Sequence, residues 1–594
     1  MQDITPIPIG VEFYKRMISD GYYYIDKTLL IRDLLSYKSA VTLFTRPRRF
    51  GKTLAQSMLK TFFEKEILPD GTFADNSIYF KDKKIMKAGE EYTKHMGQYP
   101  VIFLSLKSAK QPTYEMAYLS LVDEIFYEFD RHRYILDSDK VSEELKEKYI
   151  SILKGKADSV AMSKSIALLS KCLEKYHSQK TIILIDEYDV PLENAYFNGF
   201  YDQMVLFIRS IFESALKTNN SLAFAVITGC LRISKESNVS AKAETSEKRC
   251  KRFLEPSLYR DGLFTGLNNL NVVSVLDENY SEYFGFTQDE VDTLLETYGI
   301  PQKRDEVKTW YNGYLFGTTE VYNPWSVINY VKDIVWKNTE FPKPYWSNTS
   351  SNSIVYELIK NADDAVKQEL EELISGSTIE KPIHEDITYA DIHKSQDNLW
   401  NFLFFTGYLK ASGKKFIEQQ IYLSMTIPNE EIIYIYKNTI REWSLQYLEK
   451  QDLSGLVQAF ENGDCETASG IITEQLLDTI SFYDYKEDYY HGFITGLLKH
   501  GGKYIIKSNR ESGLGRYDLV LKTKNIRNGR AIILELKVAD KMDNLEKGCL
   551  DALEQIENLH YDNDIIKEGY TDIIKYGLCF YKKECLVMKF ERKC

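Results

Sequence analysis

Between Thr45 and Thr53 the chain reads Thr-Arg-Pro-Arg-Arg-Phe-Gly-Lys-Thr, a spacing suited to phosphate chemistry. A segment of the form G-x-x-x-x-G-K-[ST] presents backbone N–H groups at the start of a helix, where partial positive charge gathers and phosphate oxygens are cradled. Lys52 is expected to reach the β- and γ-phosphates of a nucleotide, and the Thr53 hydroxyl to ligate Mg²⁺. Arg46 stands in place of the first glycine, and Arg48, Arg49, Phe50 and Gly51 complete the candidate cofactor-binding loop. A second element is Ile182-Ile-Leu-Ile-Asp-Glu187, an apolar run ending in two carboxylates. Asp186 is expected to hold the metal through water, and Glu187 to orient and polarise an attacking water. A third is Val226-Ile-Thr228-Gly229, followed by Arg232. Thr228 would sense the γ-phosphate, and Arg232 would stabilise charge in the transition state.

A different chemistry is expected near the C-terminus. Glu535 and Lys537 lie two apart on a strand-like run and so face one side. With Asp518 on the preceding run they form a D…ExK set. Two carboxylates hold a divalent metal, and the lysine positions water or stabilises charge. Glu487 and His491, four apart on one helix face, are candidate supports, with Glu487 a candidate metal ligand. Gln555, Tyr561 and Glu511 are further candidates. Asn528-Gly529 signals a hairpin. A strict two-residue turn there would set Asp518 opposite Ala539, so a longer loop or a bulge is expected.

These groups need a scaffold. Apolar runs at Ala40–Thr45, Val101–Leu106, Thr181–Asp186 and Leu222–Thr228 read as strands. Helical stretches at Leu54–Glu64, Tyr114–Phe129 and Ser163–Tyr176 lie between them, and this alternation predicts a parallel sheet covered on both faces. From about Thr287 to Lys450 the pattern is mostly helical, with starts at Gln288 and at Asn323-Pro324. After Leu453 a helical region is followed by strand-like runs at Lys503–Lys507, Arg516–Leu521, Ala531–Val538 and Lys575–Tyr581, with a helix over Asn544–Leu559. The expected division is 1–285 for a phosphate-loop domain, 286–452 for a helical lid or linker, and 453–594 for a compact α/β domain. The segment Lys235–Arg260, with seven Lys/Arg and four Asp/Glu, reads as an exposed insertion.

The 594 residues suffice for several domains, and 44% hydrophobic with 27% charged residues suits a globular chain. No apolar run approaches the ~20 residues that span a bilayer. The N-terminus lacks the basic and apolar regions of a secretory signal, so a cytoplasmic location and no membrane partner are expected. The eight cysteines form no CxxC pair, which argues against a zinc site. A net charge of −12 argues against a protein that coats nucleic acid. Residues 481–594 are nearly balanced, with 20 Lys/Arg against 18 Asp/Glu, which permits local nucleic-acid contact.

Taken together, Ile9-Gly-Val-Glu-Phe13, Tyr24-Ile-Asp-Lys-Thr28, Arg46-Pro-Arg-Arg-Phe-Gly-Lys-Thr53, Leu184-Ile-Asp-Glu-Tyr-Asp189 and Thr228-Gly-Cys-Leu-Arg-Ile-Ser-Lys-Glu-Ser237 resemble the bacterial AAA-ATPase-like family. Trp310-Tyr-Asn-Gly-Tyr314, Tyr322-Asn-Pro-Trp-Ser326 and Tyr345-Trp-Ser-Asn-Thr-Ser350 belong to the same resemblance. Tyr490-His-Gly-Phe493, Ser508-Asn-Arg-Glu-Ser-Gly513, Gly515-Arg-Tyr-Asp518 and Glu535-Leu-Lys537 are similar to the PD-(D/E)XK nuclease domain that usually follows. The resemblance implies a P-loop NTPase with a parallel sheet, a helical middle domain and a C-terminal α/β restriction-endonuclease-like domain. It makes Arg46 the family's own variant. It implies Lys52 and Thr53 for nucleotide, Asp186 and Glu187 for hydrolysis, and Asp518, Glu535 and Lys537 for a nuclease centre. One departure is that about 26 residues separate Ser237 from Phe264, where the family runs almost directly on. The expected activity is ATP hydrolysis coupled to cleavage of nucleic acid, DNA foremost, with Mg²⁺ or Mn²⁺ at the cutting site and a possible homo-oligomer. Defence against mobile elements is the associated role. The competing expectation is a switch or remodelling ATPase whose nuclease-like domain binds without cutting.

Overall fold

The computed structural model describes residues 5–232, 263–264, 267–337, 339–346, 355–356, 363–385, 387–448, 454–478, 487–498, 504–512, 515–526 and 529–591. The Lys235–Arg260 segment, Asn528 and the Glu511 side chain lie outside the described residues. The chain forms two compact units, residues 1–346 with 380–432, and residues 347–379 with 433–594. Residues 286–346 fold with the first unit because their aromatic side chains pack on the loop after the first strand.

The first unit is built on Val41–Thr45 (β1), Val101–Ser105 (β2), Thr181–Asp186 (β3), Leu222–Gly229 (β4) and Leu270–Val273 (β5). They pair in the order β2-β3-β4-β1-β5, parallel throughout. Every residue of β1 and β3 is buried, which a parallel sheet clad in helices on both faces requires. The helices Lys52–Phe63 (α1), Tyr114–Arg131 (α2), Ser165–His177 (α3) and Val190–Phe197 (α4) connect the strands. The fold is α/β, as the alternation of runs predicts. β4 lies between β1 and β3, so the loops leaving β1 and β3 face one another across one strand.

The remainder of this unit adds strands to the mostly helical pattern expected. Gln288–Thr297 (α5) starts at a capping box of Thr287 and Glu290, and Pro324–Lys337 (α6) starts at its proline. Between them Tyr314–Phe316 (β6) and Thr319–Val321 (β7) form a hairpin. Lys410–Ile417 (β8) and Gln420–Thr426 (β9) form another. These strands are hard to read. The first pair is too short to show a period, and β8 is largely exposed and lacks apolar alternation.

In the second unit Tyr504–Ser512 (β10), Gly515–Thr523 (β11), Arg530–Val538 (β12), Asp572–Tyr581 (β13) and Glu584–Lys589 (β14) form one sheet in chain order. β12 and β13 are parallel and the other neighbours antiparallel. Glu487–Leu498 (α7) buries Tyr490, Phe493, Ile494 and Leu497 in a cluster with Leu519, Leu521, Ile532 and Leu534. Leu545–Asn558 (α8) links the parallel strands. It lies so close to β13 that a Cβ on Gly577 would stand 2.3 Å from the Cys549 carbonyl oxygen.

Candidate functional site

β1 feeds directly into residues 46–51, and α1 begins at Lys52. The loop turns by placing Arg49 (φ 71°) and Gly51 (φ 83°) in the left-handed region. That conformation is easy for glycine and costs an ordinary residue about 1–2 kcal/mol. Lys52 is buried, and its ammonium donates to the Arg46 and Pro47 carbonyls at 2.8 Å each. Phe50 is buried against Tyr314 and Phe316, with ring centroids 4.9 and 5.2 Å away.

The three loop arginines have separate fates. Arg46 is held by backbone carbonyls. Its buried side chain donates to Thr45 O at 3.0 Å and Val273 O at 2.9 Å, tying the loop's root to β5. Its guanidinium sits 5.0 Å from the Phe316 ring centroid, and burial pushes its pKa down to about 9. Arg48 pairs with Glu193, a buried carboxylate on α4. Arg49 lies with its guanidinium carbon 4.1 Å from the centroid of the Trp325 ring on α6.

Opposite the loop, β3 ends at Asp186. The carboxylate is buried, and Oδ1 accepts a hydrogen bond from the Thr228 hydroxyl at the end of β4. Among the described residues Oδ2, which is buried, has no hydrogen-bond partner. Burial raises the Asp186 pKa, against the pull of Thr228, Thr53 and Lys52. Glu187 follows in the left-handed region at φ 52°. Burial raises its pKa, and the neighbouring Asp186 charge adds to the rise. The structure thus gathers Lys52, Thr53, Asp186, Glu187 and Thr228 at one edge of the sheet. Arg232 is half-buried beyond β4.

The second cluster lies where two strands part. β11 and β12 pair from Lys522↔Ala531 up to Leu519↔Leu534, and Asp518 and Glu535 occupy the next rung. There the side chains replace the ladder. Asp518 N donates to Glu535 Oε2 at 3.3 Å, and Leu536 N donates to Asp518 Oδ2 at 2.8 Å. On α8 the Gln555 amide donates to Glu535 Oε1, and also to the Tyr561 hydroxyl at 3.0 Å. Lys537 Nζ lies 3.8 Å from Glu535 Oε1, so the two do share a side. His491 Nε2 is 2.9 Å from the Asp518 carbonyl oxygen. Glu487 is exposed on α7, and its charge acts on Glu535. The loop from β11 to β12 is longer than a two-residue turn, as expected.

Glu535 is 1% exposed, and burial, reinforced by the Asp518 charge, raises its pKa to about 8. Burial also raises that of Asp518. Two converging carboxylates, each held from ionising easily, form a hard-oxygen donor set that a divalent cation relieves. Among the described residues no three His, Cys, Asp or Glu groups gather as a ready-made ligand set. Water and substrate oxygens would complete the coordination of a metal here.

Residues 8–239 match the family described as a predicted AAA-ATPase, and residues 485–590 match the PD-(D/E)XK nuclease superfamily. The chain joins an AAA-ATPase-like domain to a PD-(D/E)XK nuclease-superfamily domain. It is 23% identical over 552 residues to an uncharacterized protein in the vnfD 5′ region of Azotobacter chroococcum mcd 1, covering 90% of this chain and 89% of that one. Among solved structures, a Walker-type ATPase of Pyrococcus abyssi aligns at 12% identity and a TM-score of 0.33, over 70% of this chain and 96% of that one.

The AAA-ATPase-like domain implies nucleotide and typically Mg²⁺, and PD-(D/E)XK nucleases use divalent metals. Among the described residues no helix is long and apolar enough to cross a membrane. Motif spacing within the AAA-ATPase-like domain did not reveal Glu193 as the partner of Arg48, nor Trp325 as the partner of Arg49. The Glu193 pairing carries no sequence signal. The aromatic motif Tyr322-Asn-Pro-Trp-Ser326 was the available signal for the other.

Proposed function

We propose that the chain hydrolyses ATP in its AAA-ATPase-like domain and uses that cycle to govern a metal-dependent nuclease that cuts nucleic-acid phosphodiesters, DNA foremost. The meeting of Asp518, Glu535, Lys537 and Gln555 at the parting of β11 and β12 carries the nuclease half.

In the ATPase half, Lys52 would exchange the Arg46 and Pro47 carbonyls for β- and γ-phosphate oxygens, beside the N–H groups that open α1. Magnesium fits Thr53 and Asp186, because Asp186 Oδ2 is buried with no hydrogen-bond partner among the described residues. When bound, the ion supplies neutralisation of phosphate charge. Glu187 would orient water, its raised pKa making it a better proton acceptor at the moment of attack. Thr228 would report the γ-phosphate to Asp186 through their hydrogen bond.

In the nuclease half, Asp518 and Glu535 would hold Mg²⁺ or Mn²⁺, which supplies Lewis-acid activation of the phosphodiester. Gln555 fixes the Glu535 carboxylate, and Lys537 stabilises developing charge or positions water. Defence against mobile elements is the biological role this pairing would serve. A second reading, a domain that binds nucleic acid without cutting, draws support from the convergence of only two carboxylates among the described residues.

The test is cleavage of plasmid, single-stranded DNA and a matched RNA with Mg²⁺ or Mn²⁺, with and without ATP, for wild type, Lys52→Ala and Glu535→Gln. Cutting lost in Glu535→Gln and altered by ATP or by Lys52→Ala supports the proposal. Intact ATP turnover with no cutting of any substrate overturns the nuclease half.

A further inference from the structure

The loop that faces the nucleotide carries three arginines, and the structure leaves one of them uncommitted. Arg46 is buried and bonded to Thr45 and Val273. Arg48 is held by Glu193. Among the described residues Arg49 makes no hydrogen bond or ion pair, and its side chain is exposed. It is nevertheless not loose. Its guanidinium lies over the Trp325 ring with its carbon 4.1 Å from the centroid, and its backbone stands in the left-handed region. Trp325 is fixed in turn, because its indole Nε1 donates to the Tyr345 carbonyl at 3.3 Å. The acidic groups whose charge reaches Arg49 are Glu12 and Glu187. A guanidinium with its donors unspent thus stands in the loop expected to hold the phosphates, three residues before Lys52, and its charge interacts with that of Glu187.

We propose that Arg49 is the arginine that meets the γ-phosphoryl group of ATP during hydrolysis, supplied from within the chain, and that Trp325 is the residue that positions it. This rests on the ATPase reading above. In the reaction the water oxygen bonds to the γ-phosphorus while the bond from that phosphorus to the β–γ bridging oxygen breaks. ADP and inorganic phosphate leave, and the water's proton ends on the phosphate. Negative charge shifts onto the bridging and equatorial oxygens, and a planar five-donor cation is suited to meet it. Lying over an indole suits this task. It restrains the guanidinium through its face and leaves the N–H edge available, which a salt bridge would not.

The experiment measures steady-state ATP turnover, nucleotide affinity and tryptophan emission for full-length wild type, Arg49→Ala, Arg49→Lys, Trp325→Ala and Trp325→Phe. Arg49→Ala and Arg49→Lys are expected to lose at least about a hundredfold in kcat with nucleotide affinity within about threefold of wild type. Trp325→Ala is expected to lose about tenfold in kcat with little change in KM, and Trp325→Phe, which keeps an aromatic face, to recover most of it. ATP should change the emission of wild type, and that change should be absent in Trp325→Phe and in Arg49→Ala. Wild-type kcat in Arg49→Ala or Trp325→Ala overturns the inference, as does an emission change indifferent to Arg49. If wild type turns ATP over and Lys52→Ala does not, such a result defeats this inference alone. If wild type shows no turnover at all, the ATPase reading fails and this falls with it.

Discussion

Metal binding at the second cluster should be steeply pH-dependent below pH 8. Glu535 has its pKa raised to about 8 by burial and by the Asp518 charge. A metal takes the ionised carboxylate, so binding must expel the proton that the metal-free protein holds. Apparent affinity then scales with the ionised fraction, one half at pH 8 and about one hundredth at pH 6. The expected loss between those pH values is about fiftyfold, or roughly 2 kcal/mol. At pH 7 about 0.9 proton should be released per ion bound. The raised pKa of Asp518 acts in the same direction. Isothermal titration with Mn²⁺ reads both quantities, in two buffers of different ionisation enthalpy, using Asp186→Ala to remove the other metal site. Glu535→Gln should abolish the binding. An affinity flat from pH 6 to 8 with no proton release would refute the reasoning, because it would mean that Glu535 is already ionised in the metal-free protein. The same shift has a stability sign. A carboxyl whose folded pKa lies above its unfolded value stabilises the fold below about pH 4.5, and that contribution is lost as pH rises through 8. Metal-free wild type should therefore lose stability relative to Glu535→Gln across that window.

Other consequences are as direct. Glu187→Gln should bind ATP with near wild-type affinity and lose at least about a hundredfold in turnover, read by a phosphate-release assay. Glu193→Ala strands Arg48 in a partly buried site, so it should destabilise the first unit by about 3–5 kcal/mol in denaturant melts, and Arg48→Met in the same chain should restore part of that. Gly577→Ala would press a methyl group onto the Cys549 carbonyl and should cost about 1–3 kcal/mol in the second unit, with ATP turnover unchanged. Thr228→Ala leaves the buried Asp186 carboxylate without its hydroxyl donor and should cost turnover about tenfold at saturating ATP.

Much of this was legible from residue type and spacing. The strands β1 to β4 show themselves because both faces are buried, which writes them as unbroken apolar runs between helices. The two chemical clusters sit at the ends of such runs, where polar residues break a buried pattern. The hairpins β6–β7 and β8–β9 stayed hidden because three-residue and solvent-facing strands carry no period. Arg46 was placed in the candidate cofactor-binding loop by its position, and a loop position says which backbone carries a side chain and not where that side chain goes. In a chain with Val273 and Phe316 beneath the loop, its guanidinium finds carbonyls and rings there. Pairings such as Arg48 with Glu193, 145 residues apart, depend on the sheet order and leave no local trace.

The bonds at the parting of β11 and β12 bear on how this domain can change over time. Asp518 and Glu535 accept the backbone N–H groups that the neighbouring strand has ceased to pair, so folding alone gives a reason to retain hydrogen-bond acceptors at both positions. A descendant that had given up cutting would be slow to lose them. Lys537 has no such duty, since its described contact is a 3.8 Å approach to Glu535 at the rim of the cluster. Loss of the lysine with an acceptor kept at both positions is therefore the mark by which a relative of this nuclease-superfamily domain that does not cut would be recognised.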